Sequence, residues 1–284
     1  MTNITLLYDL MRWEEKQLLL KAEEKNVKMG PLDIRKITPV IDEPFDTPLG
    51  DVCLQRGVSF YRGLYATAFL EYFGHRVINT FRSLDLTGNK LLTSLELSKR
   101  GIPTPRTGAA FDVESGLNLF SKKFYGKAVI KPVTGSWGRM IALLNDRQSA
   151  EAVLNERSLM HPIQSITYLQ EFVNKPGRDI RIIVAGRNAI AGMYRYQVGD
   201  EWRTNAAIGG RVEALPHDPD VEELAIKSTE FLDPGIYGVD IMETDRGYLV
   251  HEINGTMEFK GVTSASGVDV AGEIIDFILS DARK

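Results

Sequence analysis

The chain has 284 residues, 43% hydrophobic and 25% charged, an ordinary globular balance with room for two or three lobes. Its net charge of −4 gives no global basic footprint for nucleic acid, and no apolar run approaches the roughly 18 residues of a membrane span. One cysteine and four scattered histidines exclude an internal disulfide and Cys/His zinc spacing, and fit a reducing, cytoplasmic setting. Cys53, inside an apolar VCL run, reads as a small core residue. The opening MTNITLLYDLMRWEEK has acids where a signal peptide would be basic and then apolar.

In chain order, 4–8 reads as a buried strand and 12–26 as a helix with an apolar stripe. Strands are expected at 33–38 and 52–55, around a Pro- and acid-rich loop at 38–50. A helix at 62–73, stopped by Gly74, leads to a strand at 76–78. Alternating strands and helices predict an α/β lobe over 1–85, its end marked by the connector 79–88. A helix at 88–100 follows, with Thr87 as N-cap and Gly101-Ile102-Pro103 as its stop. Strand 128–133, a Gly-rich loop, strand 140–144 and a helix at 148–156 capped by Asp146 make a second lobe, 86–166. The third lobe, 167–284, has strands at 167–173, 179–185 and 189–196, whose short connections predict antiparallel neighbours. A helix at 221–232, a hairpin at 238–254 and an amphipathic helix at 267–279 complete it. Ile274, Ile275, Ile278 and Leu279 form the stripe of that last helix.

The hairpin carries the strongest chemical signal. Asp245-Arg246-Gly247 reads as a three-residue loop with Gly in the left-handed position. That register pairs Thr244 with Tyr248, Met242 with Val250 and Asp240 with Glu252, so Asp240, Glu252 and Asn254 share a face. Two facing carboxylates repel unless something positive lies between them, and with an amide oxygen they make hard ligands suited to Mg²⁺. The alternatives are a metal floor and a solvated face with two independent acids. His251, on the opposite strand face, reads as structural.

Lys131 lies in an apolar strand, so it is either an edge residue or a cation aimed at an anion. The loop Gly135, Ser136, Trp137, Gly138, Arg139 follows, and is either a phosphate-approaching loop or a plain turn. Lys90 by itself reads as a solvated lysine. Gln170, Glu171, Phe172 and Val173 end a strand whose backbone suits an adenine edge or simply a sheet. Arg178, Arg181, Arg195 and Arg203, with Asp179, form a local basic cluster, either a binding surface or ordinary surface arginines. Asn205 sits in a polar loop as a ligand group or a turn residue. Walker A, GxGxxG and GxSxG motifs are absent from the sequence.

The order of these signals resembles the ATP-grasp superfamily across essentially the whole chain. It is most similar to the RimK-like branch and, within that, to the LysX/ArgX ligases that act on the amino-group carrier protein LysW. KPVTGSWGR, QEFVNKPGRDIR and EINGTMEFK are the most specific stretches. The resemblance implies a three-lobed fold, α/β then α+β, with ATP between the central and C-terminal lobes. It puts Lys90 and Lys131 on ATP phosphates, Gly135 to Arg139 in a flexible lid, and Gln170 to Val173 around adenine, with Arg178 and Asp179 beside the nucleotide. It puts Asp240, Glu252 and Asn254 on one or two Mg²⁺ ions, and Arg195, Asn205 and Arg181 at the reaction centre, with Arg203 as a helper. Asn254, Thr256, Glu258, Lys260, Gly261 and Val262 would line the amino-acid pocket.

The reaction implied joins the C-terminal glutamate of an acidic LysW-type carrier to the α-amino group of glutamate or 2-aminoadipate through an acyl phosphate. It would serve arginine or lysine biosynthesis and be carried out by a homo-oligomer, a dimer or tetramer. After EFK, aminoadipate enzymes resemble Asn-Thr or Asn-Ser and glutamate enzymes Gly-Phe. Gly261-Val262 matches neither fully, the run from Gly255 to Glu258 resembles the aminoadipate type, and dual specificity is a further reading. Alternatives are a RimK-like ligase adding glutamate to another protein or a small molecule, and a nucleotide-binding regulatory module without turnover. The intact Asp240, Glu252 and Asn254 set argues against the module.

Overall fold

A computed structural model describes residues 2–135, 138–199 and 210–282. The first lobe contains β1 (Ile4–Tyr8), α1 (Trp13–Glu24), β2 (Met29–Asp33), β3 (Val52–Gln55), α2 (Phe60–Tyr72) and β4 (Val77–Ile78). Its four strands are parallel, in the order β2-β1-β3-β4. Such a sheet is covered on both faces, and alternation along β1 does the sorting. Ile4 and Leu6 join one core, while Leu7 joins Cys53, Ile34 and Leu70 on the other side. The strand expected at 33–38 lies upstream instead. Asp33 stops it, because its carboxylate takes the Arg35 backbone N–H at 3.0 Å and closes a turn.

The connector 79–88 is in fact a helix, α3 (Phe81–Gly88), and α4 (Lys90–Lys99) follows it at once. The N-cap of α4 is Asn89, whose side chain accepts from the N–H groups of Leu91 and Leu92, and not Thr87. Thr87 donates back to the Ser83 carbonyl inside α3. The central lobe then adds β5 (Thr107–Ala110), α5 (Val113–Lys123), β6 (Ala128–Lys131), β7 (Ala142–Leu144), α6 (Arg147–Ser158), α7 (Pro162–Ser165) and β8 (Thr167–Glu171). Asp146 caps α6 as expected. β5 and α5 were not foreseen. The strand expected at 167–173 is not a neighbour of the next one in sequence. It pairs antiparallel with β5 and β6, and so belongs to the central sheet, order β5-β8-β6-β7.

The last lobe holds β9 (Arg178–Ala185), β10 (Asn188–Tyr196), β11 (Val212–Ala214), α8 (Pro219–Thr229), β12 (Ile236–Thr244), β13 (Gly247–Asn254), α9 (Lys260–Ser266) and α10 (Val270–Asp281). Its sheet runs β11-β10-β9-β12-β13, antiparallel throughout. Ile180, Ile182 and Val184 face α8, and Ile183 faces α10. The stripe of α10 is buried as predicted at Ile274, Ile275 and Ile278, and it packs against Ile4, Leu6 and Leu18 of the first lobe. The first and third lobes therefore share one core. Buried Asn79 ties them further, donating to the carbonyls of Ile236 and Gly255 at 2.8 and 2.7 Å and accepting from Ile236 N at 2.7 Å. No helix among the described residues is long and apolar enough to cross a membrane.

Candidate active site

The β12–β13 hairpin keeps the Asp240–Glu252 pairing by two deviations that cancel. Its loop has two residues, not three, so Thr244 pairs with Gly247 and Met242 with Leu249. One residue is then taken up by a bulge, where Asp240 pairs with Glu252 but Ile241 pairs with Val250. The residue left over is His251. The bulge turns it into the site, where its Nε2 lies 3.3 Å from Lys131 Nζ, correcting its reading as a residue facing away.

A cavity of about 370 Å³ opens between the three lobes, within the roughly 300–1,000 Å³ usual for ligand sites. Seven cationic side chains and five carboxylates line its described part, although the whole chain carries −4. A cavity with that balance favours a polyanion.

The cations are held in fixed places. Lys131, at the end of β6 and 5% exposed, donates to Gln170 Oε1 at 2.6 Å on the paired strand β8. Burial pushes its ammonium down to about 8, Glu252 opposing the shift and Lys90 and Lys175 adding to it. Lys90 starts α4 and reaches across to Glu252 Oε1 and the Gly135 carbonyl, both at 2.8 Å. Gly135 and Gly138 take φ values of +135° and +68°, which a side chain would oppose, so the loop after β6 depends on both glycines.

Across the cavity, Asp240 is 4% exposed and clamped by Arg181 through two 2.7 Å contacts, and Arg195 Nη2 lies 3.2 Å away. Burial pushes the Asp240 carboxyl up, but Arg181 and Arg195 more than offset it and hold it well below the usual range. Arg195 is also buried, and Asp179 accepts from its Nε at 2.7 Å. Burial disfavours the Arg195 charge, and Asp179 and Asp240 together outweigh that, so its pKa is raised. Burial, reinforced by Lys131, lowers His251 well below its ordinary value, so the ring is neutral at pH 7.

Asp240, His251 and Glu252 each offer a ligand atom within 4.8 Å of the others. Among the described residues Asn254 Nδ2 is buried without a hydrogen-bond partner, a donor open to an acceptor on a bound ligand, while the amide oxygen is the atom a cation would take. Two carboxylates and an amide fit a hard divalent cation, and imidazole nitrogen is the poorer partner for Mg²⁺.

Most of the residues singled out from sequence meet at this cavity: Lys90, Lys131, Gly135, Gly138, Arg139, Gln170 to Val173, Asp179, Arg181, Arg195, Asp240, Glu252, Asn254, Thr256 and Glu258. Glu171 reaches it while its carboxylate accepts from Arg106 N and Arg246, both at 2.9 Å. Arg178 is not on the cavity wall. It pairs with Glu243 at 2.9 Å and stacks 4.0 Å over Tyr194. Lys260, Gly261 and Val262 are not on the wall either. Lys260 begins α9 and is exposed, Gly261 backs onto Met193, and Val262 is fully buried in the core. An expected selective wall is there a packing element, because α9 turns the chain away after Phe259. Ser136, Trp137, Arg203 and Asn205 lie outside the described residues.

Sequence reasoning missed Arg12, Lys175, His251 and Gly255, which also line the cavity. Arg12 falls at the start of the helix read at 12–26 and Lys175 in a connection between strands, and neither belongs to a chemical motif. Gly255 allows a close approach: a Cβ there would stand 2.6 Å from Thr87 Oγ1.

The sequence matches the RimK-like ATP-grasp domain over residues 87–278 and the LysX preATP-grasp domain over residues 4–86. It is 35% identical over 274 residues to the alpha-aminoadipate–LysW ligase LysX of Sulfurisphaera tokodaii, covering 95% of each chain. It is 33% identical over 288 residues to the glutamate–LysW ligase ArgX of Sulfolobus acidocaldarius, covering 97% of this chain and 98% of that one. Among solved structures it resembles a RimK domain ATP-grasp protein from Sphaerobacter thermophilus, with a TM-score of 0.81 and 26% identity over 97% of this chain and 98% of that chain.

Proposed function

The chain belongs to the RimK-like ATP-grasp family, and from that premise we propose that it is an ATP-dependent ligase joining the C-terminal glutamate of a LysW-type carrier to the α-amino group of glutamate, 2-aminoadipate or both. The observation that carries the reading is the cation-rich cavity with Asp240, Glu252 and Asn254 on its floor and Lys90 and Lys131 on its wall.

A carboxylate is a poor acyl donor because its leaving group would be oxide. Transfer of the ATP γ-phosphoryl group gives an acyl phosphate, and an amine then displaces phosphate through a tetrahedral intermediate. No protein nucleophile is needed. Lys90, Lys131 and Arg139 line the cavity and would take phosphate charge. A Mg²⁺ ion bound by Asp240, Glu252 and Asn254 would offset charge on the transferring group. Arg195, fixed between Asp179 and Asp240, presents a permanent cation beside that floor. Gly135, Gly138 and Arg139 line the cavity, and a wall there would keep out water, which otherwise hydrolyses an acyl phosphate. Work in the cytoplasm as a homo-oligomer, in arginine or lysine biosynthesis, belongs to the same reading.

The test is ADP release by purified enzyme with ATP, Mg²⁺, LysW-type carrier and each amino acid in turn. Release that needs both carrier and amino acid is expected. Silence with both amino acids overturns the reading, and release with a different glutamate acceptor in place of the carrier moves the chain to another glutamate ligase.

A further inference from the structure

The first lobe closes one end of the cavity. Among the described lining residues it contributes one charged side chain, Arg12, beside Gly57, Val58, Phe60 and Leu84. Three backbone donors beside it are already engaged. The Gly57 N–H goes to Gln55, and those of Val58 and Ser59 go to Asp9. Arg12 is the charged side chain that an anion at this end meets.

Arg12 is clamped along one edge only. Its Nε and Nη2 donate to the two oxygens of Glu15 at 3.1 and 2.8 Å, and Glu15 is steadied by buried Arg56 at 3.2 Å. On the other edge, Nη1 faces Glu258 at 3.5 Å, too long for a good hydrogen bond, and the Glu258 side chain is 43% exposed. A planar fork fixed on one side and under-used on the other is preorganised for a second carboxylate. Arg181 repeats the pattern, with Nε and Nη2 bound to Asp240 and no such clamp on its remaining edge among the described residues. Glu258 feels the charge of both arginines. Two half-used guanidiniums and one carboxylate are the charge complement of an amino acid with two carboxylates and one ammonium.

We propose that Arg12 binds the side-chain carboxylate of the acceptor amino acid and so reads its acidity and its length. The inference rests on the acceptor being glutamate or 2-aminoadipate. Arg12 sits on a different lobe from Asp240, so the span between them sets how long a side chain fits. The one-methylene difference between those two substrates is read as that span.

The experiment measures kcat and KM with glutamate, 2-aminoadipate and glutamine, a neutral isostere of glutamate, using full-length enzyme, carrier and ATP. For Arg12→Met, KM for the acidic amino acids should rise at least about 30-fold. The glutamine reaction and KM for ATP should stay within about threefold, and Arg12→Lys should recover part of the loss. The glutamate-to-glutamine ratio on one sample cancels any loss of folded enzyme caused by breaking the Glu15 pair. An equal loss with glutamate and glutamine, or a matching rise in KM for ATP, makes Arg12 a structural residue and overturns the proposal. Wild-type silence with both acids overturns the reading of function beneath it, whereas an active wild type with an unchanged ratio in Arg12→Met overturns the role of Arg12 alone.

Discussion

Asp179 touches Arg195, and Arg195 touches Asp240, all three nearly or fully buried. Removing one member of such a set leaves an uncompensated charge in a poorly hydrated place. Asp179→Asn should cost about 3 kcal/mol in denaturant unfolding and lower kcat more than it raises KM for ATP, because Arg195 would lose its fixed position. Glu252 is only partly buried and its partner Lys90 keeps water access, so Glu252→Gln should leave unfolding almost unchanged. Its kcat should fall by at least about 10²-fold. A Glu252→Gln enzyme with normal turnover would show that the hairpin does not hold the metal. Cys53 is fully buried, and burial pushes its thiol up to about 12, so little thiolate exists at pH 8. Iodoacetamide at pH 8 should leave the native protein unmodified and label it only after unfolding, and rapid native labelling would contradict that burial. The sequence made Cys53 legible through its apolar neighbours, whereas Arg12 carried no such signal. Its partner Glu258 lies 246 positions away.

Elements whose signals are local were readable: β1, β3, the Asp146 cap and the buried stripe of α10 match expectation closely. Elements defined by distant partners were not. β5 is TGAA, short and made of small residues, and it becomes a strand because β8 hydrogen-bonds to it. β8 follows a short helix and looks like the start of a meander, yet its partners are upstream in the chain. The hairpin shows the same limit within one element. Its facing carboxylates were legible, but the bulge that carries His251 into the site was not, because loop length and bulge compensate in register. Packing of the segment after β13 gives a direct test. A Cβ on Gly255 would press on Thr87 of α3, so Gly255→Ala should destabilise by about 1–3 kcal/mol, read by chemical denaturation. Thr87→Ala in the same chain should recover part of that loss, and simple additivity of the two would contradict the contact.

At the scale of the molecule, the first and third lobes form one block through α10 and Asn79, while the central lobe has its own core around Phe120, Ile130, Leu154 and Leu169. Native-state hydrogen exchange should find β1 and β9 opening together and β6 and β8 opening separately at lower free energy. A non-hydrolysable ATP analogue should protect β6 and β8 most. Separate opening of β1 and β9 would contradict the shared core. The order of weak signals along the chain identified the fold because this cavity draws Lys90, Lys131, Asp240 and Glu252 from well-separated elements. The claim that these groups build a ligase is tested most directly by the intact mass of the carrier after incubation with enzyme, ATP, Mg²⁺ and glutamate or 2-aminoadipate. The carrier should gain the mass of one amino-acid residue with wild-type enzyme and none with Glu252→Gln. A carrier of unchanged mass with both amino acids, in the presence of folded wild-type enzyme, would contradict the account.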